Sequence, residues 1–230
     1  MANGKLILID GDYGRRKATQ TKILVERLRG EGRRTETLDF PRYAHNLFGK
    51  LIGECIAGDH GDFLHSSPYV ASALYAADRY ETKGVIEGWL AEGAAVVLDR
   101  YVSANQIHQG GKIADHEKRS AFLEWLEQLE HGVYGLPRAH LTLYLHMPTE
   151  LSVDLLKDKR AKDKKSSYLA PGKQDTVELD ISYLEHAQMS AQWLMKRQPN
   201  WHRIECAPQG TIRTREDIAD EVYAAVQALV

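Results

Sequence analysis

Two cysteines in 230 residues, Cys55 and Cys206, are too few for a disulfide framework. They read as reduced thiols, the expectation for a cytosolic chain. No apolar run approaches the roughly 20 residues that span a bilayer. The N-terminus shows no basic segment followed by an apolar one, so no secretory signal is expected. The net charge of −2 gives no excess of either sign, which argues against bulk binding of nucleic acid polymers. Internal repeats and low-complexity tracts are also missing. What remains is a globular chain, 43% hydrophobic and 27% charged. Its length suits one domain over residues 1–230 with room for a small insert.

Short β-type runs alternate with long helical patterns. The spacing predicts strands at Lys5–Asp10, Arg34–Asp39, Ala94–Leu98, Leu141–His146 and Trp201–Cys206. It predicts helices at Ala18–Glu31, Leu47–Ala57, Pro68–Glu92, Asp115–His131, Thr149–Lys159, Ile181–Gln198 and Thr214–Leu229. Ala95 to Leu98 are apolar throughout, as in a strand buried on both faces. The alternation predicts an α/β fold: a five-stranded parallel sheet with helices on both faces. Ligands of such sheets bind beyond the C-terminal ends of the strands.

The segments richest in chemistry fall at three of those ends. The first follows Ile9: Asp10-Gly11, four residues, Arg16, then Lys17-Ala18-Thr19. The spacing is that of a phosphate-binding loop, G-x-x-x-x-G-K-[ST], with arginine for the second glycine and alanine for the hydroxyl residue. Lys17 suits the β- and γ-phosphates. Ala18 cannot ligate magnesium, and Thr19 stands beside it. The alternative is an ordinary βα turn with exposed arginines. The second end carries Phe40-Pro41-Arg42-Tyr43, a rigid turn with a cation and two aromatics. The third carries Asp99-Arg100-Tyr101 and a polar stretch to Gly110, which reads as a site loop. Arg100 there can clamp a phosphate, or pair with Asp99 for structural reasons only. Tyr75 and Arg79 are spaced i, i+4 and share one helix face, suited to a nucleobase or to a surface cation–aromatic contact. Residues 157–175 are basic, with Lys157, Lys159, Arg160, Lys162, Lys164 and Lys165, then Ser, Pro and Gly. They read as a solvated loop or as a lid.

Taken in order, these segments resemble thymidylate kinase, of the P-loop nucleoside monophosphate kinase superfamily. The resemblance is carried by Lys17 to Gln20, Phe40 to Tyr43, Leu74 to Arg79, Asp99 to Val102 with Asn105, and His108-Gln109-Gly110. It implies a three-layer P-loop kinase fold and transfer of a phosphoryl group from ATP to dTMP with Mg2+. It further implies a cytoplasmic homodimer, and a lid over residues 157–175. Gly11, Gly14, Arg15, Lys17, Ala18, Thr19 and Arg160 would hold ATP. Phe40, Arg42 and Tyr43 would line the acceptor pocket, Tyr75 would stack on the base and Arg79 would bond its edge. Arg100 would hold the acceptor phosphate, with Asp99 beside it as the magnesium partner. Asn105, His108 and Gln109 would face the nucleoside. Arg16 would serve the transferring phosphoryl group in place of a lid arginine. Tyr13 stands where the family has a carboxylate, and His108 where it usually has tyrosine. Three readings therefore stay open: a dTMP kinase, a kinase for a different or modified deoxynucleotide, and a catalytically silent nucleotide-binding homologue.

Overall fold

A computed structural model describes residues 4–12, 16–153 and 181–230, with Arg16 described for its backbone only. Strands β1 (Lys5–Gly11), β2 (Thr35–Asp39), β3 (Ala95–Asp99), β4 (Leu141–His146) and β5 (Trp201–Glu205) form one sheet in the order β2-β3-β1-β4-β5. Every pairing is parallel, with Ile7 facing Val97 on one side and Leu141 on the other. All C-terminal strand ends therefore open on one edge.

Alternation along β1 sends its side chains to two separate cores. Ile7 and Ile9 pack with Leu24 and Leu28 of α1 (Arg16–Gly30) and with Ile218, Val222 and Val226 of the last helix. Leu6 and Leu8 pack on the other face with Ile86, Leu98, Tyr101 and Leu136. A third cluster seats Ala187, Ala191 and Leu194 against Tyr144 and Trp201. The sheet is thus buried on both sides, as its apolar β3 predicts.

Three expectations about elements need correction. The helix read as Pro68–Glu92 is two helices, Pro68–Glu81 and Lys83–Ala91. At the break Thr82 has φ −105° and ψ 0°, and its hydroxyl accepts a bond from Asn46 Nδ2 at 2.9 Å. The polar stretch after Asp99 is not a loop. It forms a short helix, Val102–Ala104, and a π-helical turn, Asn105–Gln109, whose Ile107 is buried in the third cluster. The helix read as Asp115–His131 ends at Glu127 and continues as a second π-helical turn, Gln128–Val133. Smaller shifts affect the last two helices, observed as Ile181–Met195 and Arg215–Gln227. The helix expected from Thr149 begins at 149, and beyond 153 it lies outside the described residues, as does the expected lid at 157–175. Cys55 and Cys206 are both buried and neither is in a disulfide. Among the described residues no helix is long and apolar enough to cross a membrane.

Candidate active site

The C-terminal edge of the sheet is stitched by backbone bonds that bring the sequence-marked segments together. Phe40 N–H donates to Asp99 O at 3.0 Å, Arg100 N–H to Ile9 O at 3.0 Å, and Asp12 N–H to Leu145 O at 3.1 Å. Gly11 makes the first turn possible. Its φ is +154°, and a Cβ there would stand 2.4 Å from Leu145 O.

Lys17 enters this edge from the first turn of α1. It is 4% exposed, and its ammonium donates to the carbonyls of Gly11 at 3.1 Å and Asp12 at 2.9 Å. Burial, then the charge of Arg100, lower its pKa to about 8, against the opposing pull of Asp10, Asp99 and Asp12. Arg100 follows β3 in the left-handed region, φ 66°, unusual for a residue with a Cβ. Asp99 beside it has a carboxyl pushed up to about 6 by burial, with Lys17 and Arg100 opposing. Lys17, Asp99 and Arg100 thus sit within one another's fields. His108 joins them. It is buried and its pKa is lowered well below the usual imidazole range, first by burial and then by Arg100, Lys17 and Lys112. The imidazole is therefore held neutral within the field of these cations, with its ring stacked on Tyr183 at 6.0 Å. Gln109 is buried, and its Oε1 meets no donor among the described residues.

The second segment is held from below. Phe40 is buried with its ring 5.8 Å from that of Tyr101. Arg42 and Tyr43 are half-buried at the rim. Asp78 anchors this loop by accepting from Arg42 N–H at 3.1 Å and Asn46 Nδ2 at 2.9 Å. Its pKa is raised by burial, against those two bonds. Tyr75 is half-buried, with its ring 5.9 Å from Phe63. Arg79 does not project freely beside it. It is 2% exposed and gives Nε and Nη2 to Glu130, each at 2.7 Å, and Nη1 to Tyr101 O at 3.2 Å. Asn105 bonds the same Glu130 through Nδ2 at 2.8 Å.

Ala18 is exposed and Thr19 half-buried on α1. Tyr13, Gly14, Arg15 and Arg160 lie outside the described residues, as does the side chain of Arg16.

Three partners of the site were not marked in the sequence. Asp12 accepts from Tyr144 OH at 2.5 Å, Met147 N–H at 2.7 Å and Gln188 Nε2 at 3.2 Å, with His146 Nδ1 at 3.1 Å. Its carboxylate ties the start of the loop to β4 and the Ile181–Met195 helix. Asp78 lies inside the marked segment, next to Arg79, but carries no spacing signal of its own. Glu130 sits on a charged helix face, where Glu124 and Glu127 look the same.

A family model described as thymidylate kinase matches residues 9–218. The thymidylate kinase of Mycobacterium tuberculosis (strain ATCC 25618 / H37Rv) is 31% identical over 158 residues, 69% of this chain and 73% of that one. That of Synechococcus sp. (strain JA-2-3B'a(2-13)) is 38% identical over 149 residues, 64% of this chain and 66% of that one. The Homo sapiens thymidylate kinase is 31% identical over 144 residues, 63% and 61% of the two chains. A solved thymidylate kinase from Candida albicans superposes with a TM-score of 0.70 at 21% identity, covering 99% of this chain and 93% of that one. At that identity the likeness speaks for the fold.

Proposed function

The chain belongs to the thymidylate kinase family, and on that premise we propose that it transfers the γ-phosphoryl group of ATP to the phosphate of dTMP, giving dTDP and ADP. The observation that carries this reading is the meeting of Lys17, Asp99 and Arg100 at one edge of the parallel sheet, where buried Lys17 and Asp99 each feel the charge of the other and of Arg100.

The acceptor is a phosphate monoester, already mostly dianionic near neutral pH because its second pKa is about 6. No side chain needs to remove a proton, so the work of the protein is positioning and charge stabilisation. Lys17 exchanges the Gly11 and Asp12 carbonyls for the phosphate oxygens of ATP. Arg100, aimed by its left-handed backbone, clamps the acceptor phosphate. Phe40 and Tyr43 wall that pocket, Arg42 adds a cation at its rim, and Tyr75 offers a ring face to the base. Arg16 is assigned the charge of the transferring group, with Gly14, Arg15, Thr19 and Arg160 around ATP, on family resemblance.

Magnesium fits the residues present. The Asp99 carboxylate accepts no hydrogen bond from a described residue, and burial raises the cost of its charge. One such carboxylate, with phosphates and waters, is an ordinary magnesium environment. Asp10 is already engaged, its oxygens accepting from Gly11 N–H and Ser103 Oγ at 2.9 and 2.8 Å. Bound magnesium neutralises charge on the phosphate oxygens.

ADP release measured across nucleoside monophosphates tests the reading. Turnover highest with dTMP is expected. Measurable dTMP binding without turnover of any monophosphate refutes kinase activity and leaves the silent homologue. Turnover of another monophosphate far above dTMP favours a changed acceptor, which the buried His108 against Tyr183 supports. The cytoplasm as location and a homodimer as assembly are proposed from the family, the second to be checked by sedimentation.

A further inference from the structure

Glu130 is 0% exposed, and three charge-assisted bonds converge on it. Arg79 Nε donates to Oε2, and Arg79 Nη2 and Asn105 Nδ2 share Oε1 at 2.7 and 2.8 Å. Arg79 and Asn105 are therefore neighbours, joined through one oxygen. Glu130 and Asn105 each lie in a π-helical turn, which interrupts the helical register and re-aims side chains.

The remaining hydrogens can be counted. An asparagine amide has two N–H groups. Here Nδ2 bonds both Glu130 and Ser72 O, the latter at 3.1 Å. Turning the amide over would set Oδ1 against a carboxylate and a carbonyl, so only one orientation is bonded. In that orientation Oδ1 accepts no hydrogen bond from a described residue, yet it is not a buried, unsatisfied atom. Asn105 as a whole is 2% exposed, so this oxygen keeps an unused acceptor inside the fold. Of the five N–H groups of a guanidinium, three are engaged here, leaving one hydrogen on each Nη of Arg79. A buried ion pair adds little net stability over an apolar pair of the same volume, so stability alone does not account for this arrangement.

We propose that Glu130 is a specificity-determining positioning residue: by holding Arg79 and Asn105 on one carboxylate, it fixes an acceptor beside a donor and so selects pyrimidines with N3–H and a 4-oxo group. A pyrimidine with an N3 lone pair and a 4-amino group presents the opposite pattern and meets donor with donor. The inference rests on the proposed kinase reading, with Arg79 and Asn105 set toward the base as the family resemblance implies. Asn105 Oδ1 takes N3–H and Arg79 gives a hydrogen to O4.

The test compares kcat/KM for dTMP and dCMP in the wild type and in Glu130→Gln. Glutamine puts an NH2 group where one of the present donors bonds, so Asn105 turns over or Arg79 loses a bond. The dTMP-to-dCMP ratio is expected to fall by about tenfold or more, mainly through KM. A general loss of fold lowers both values and leaves the ratio unmoved. An unchanged ratio in a dTMP kinase overturns the role of Glu130 while leaving the kinase reading in place. No turnover of any monophosphate by the wild type overturns the kinase reading, and this inference with it. If Glu130→Gln fails to fold, N3-methyl-dTMP is titrated against the wild type. Binding weaker than dTMP by about tenfold or more supports the fixed acceptor; equal binding overturns it.

Discussion

Replacing Asp12 by alanine removes the acceptor for Tyr144 OH, Met147 N–H and Gln188 Nε2 in one step. Tyr144 is fully buried, so its hydroxyl would be left without a partner and out of water's reach. A buried donor stranded in this way costs about 1–3 kcal/mol, and the Met147 amide adds a comparable loss. Asp12→Ala is therefore expected to lose about 2–6 kcal/mol, a fall in Tm on the order of 10 °C for a chain of this size. Urea unfolding followed by tryptophan fluorescence measures the loss, and thermal melts check it. The effect should reach the donor site as well. The Asp12 carbonyl holds Lys17 Nζ at 2.9 Å, so a loosened Asp12 should raise KM for ATP more than KM for dTMP. Asp12→Asn keeps one acceptor oxygen and should lose about half as much. A variant Asp12→Ala as stable as the wild type to within about 0.5 kcal/mol would refute the reasoning, because that is the response of an unengaged surface position.

Tyr144→Phe removes one of the same bonds and should cost about 1–2 kcal/mol; in the Asp12→Ala background its cost should largely vanish, a coupling that a double-mutant cycle reads from the melts. Lys17 has its pKa lowered to about 8 by burial, so kcat/KM for ATP should decline as pH rises through that value, while kcat at saturating ATP holds further because bound phosphate retains the proton. The sign for stability is the reverse: between about 8 and the unfolded value of 10.5 the unfolded chain binds the extra proton, so the Lys17 contribution to stability rises with pH, to be read from urea melts across that range. Gly49→Ala should cost about 1–3 kcal/mol and raise KM for dTMP, because its Cβ would stand 2.3 Å from Arg42 O and push the Phe40–Tyr43 segment from its place.

The strands were legible because their signal is local. An apolar run such as Ala95 to Leu98 can only be satisfied between two layers, and the helices between strands leave only parallel crossovers. Two of the three errors share one cause. Asn105 to Gln109 and Gln128 to Val133 depart from the 3.6-residue period as π-helical turns, so periodicity read the first as a loop and the second as plain helix. The break at Thr82 depends on Asn46, 36 residues away, and no window along the chain contains both.

The same distinction divides the site. Lys17, Asp99 and Arg100 follow directly from strand ends, and one topological rule brings them together. The residues that aim those groups come from elsewhere in the chain. Asp12 meets Tyr144 across 132 positions, and Arg79 meets Glu130 across 51. Asp12 is polar in a loop and Glu130 is one of several glutamates on a helix, so neither has a spacing that separates it from a solvated neighbour. Arg79 shows the consequence. Its i, i+4 relation to Tyr75 is real, but that relation cannot say which donors remain once a buried carboxylate has taken two of them. The free hydrogens on Arg79 and the orientation of Asn105, and with them any choice among bases, are set by a side chain that only the folded chain brings into contact.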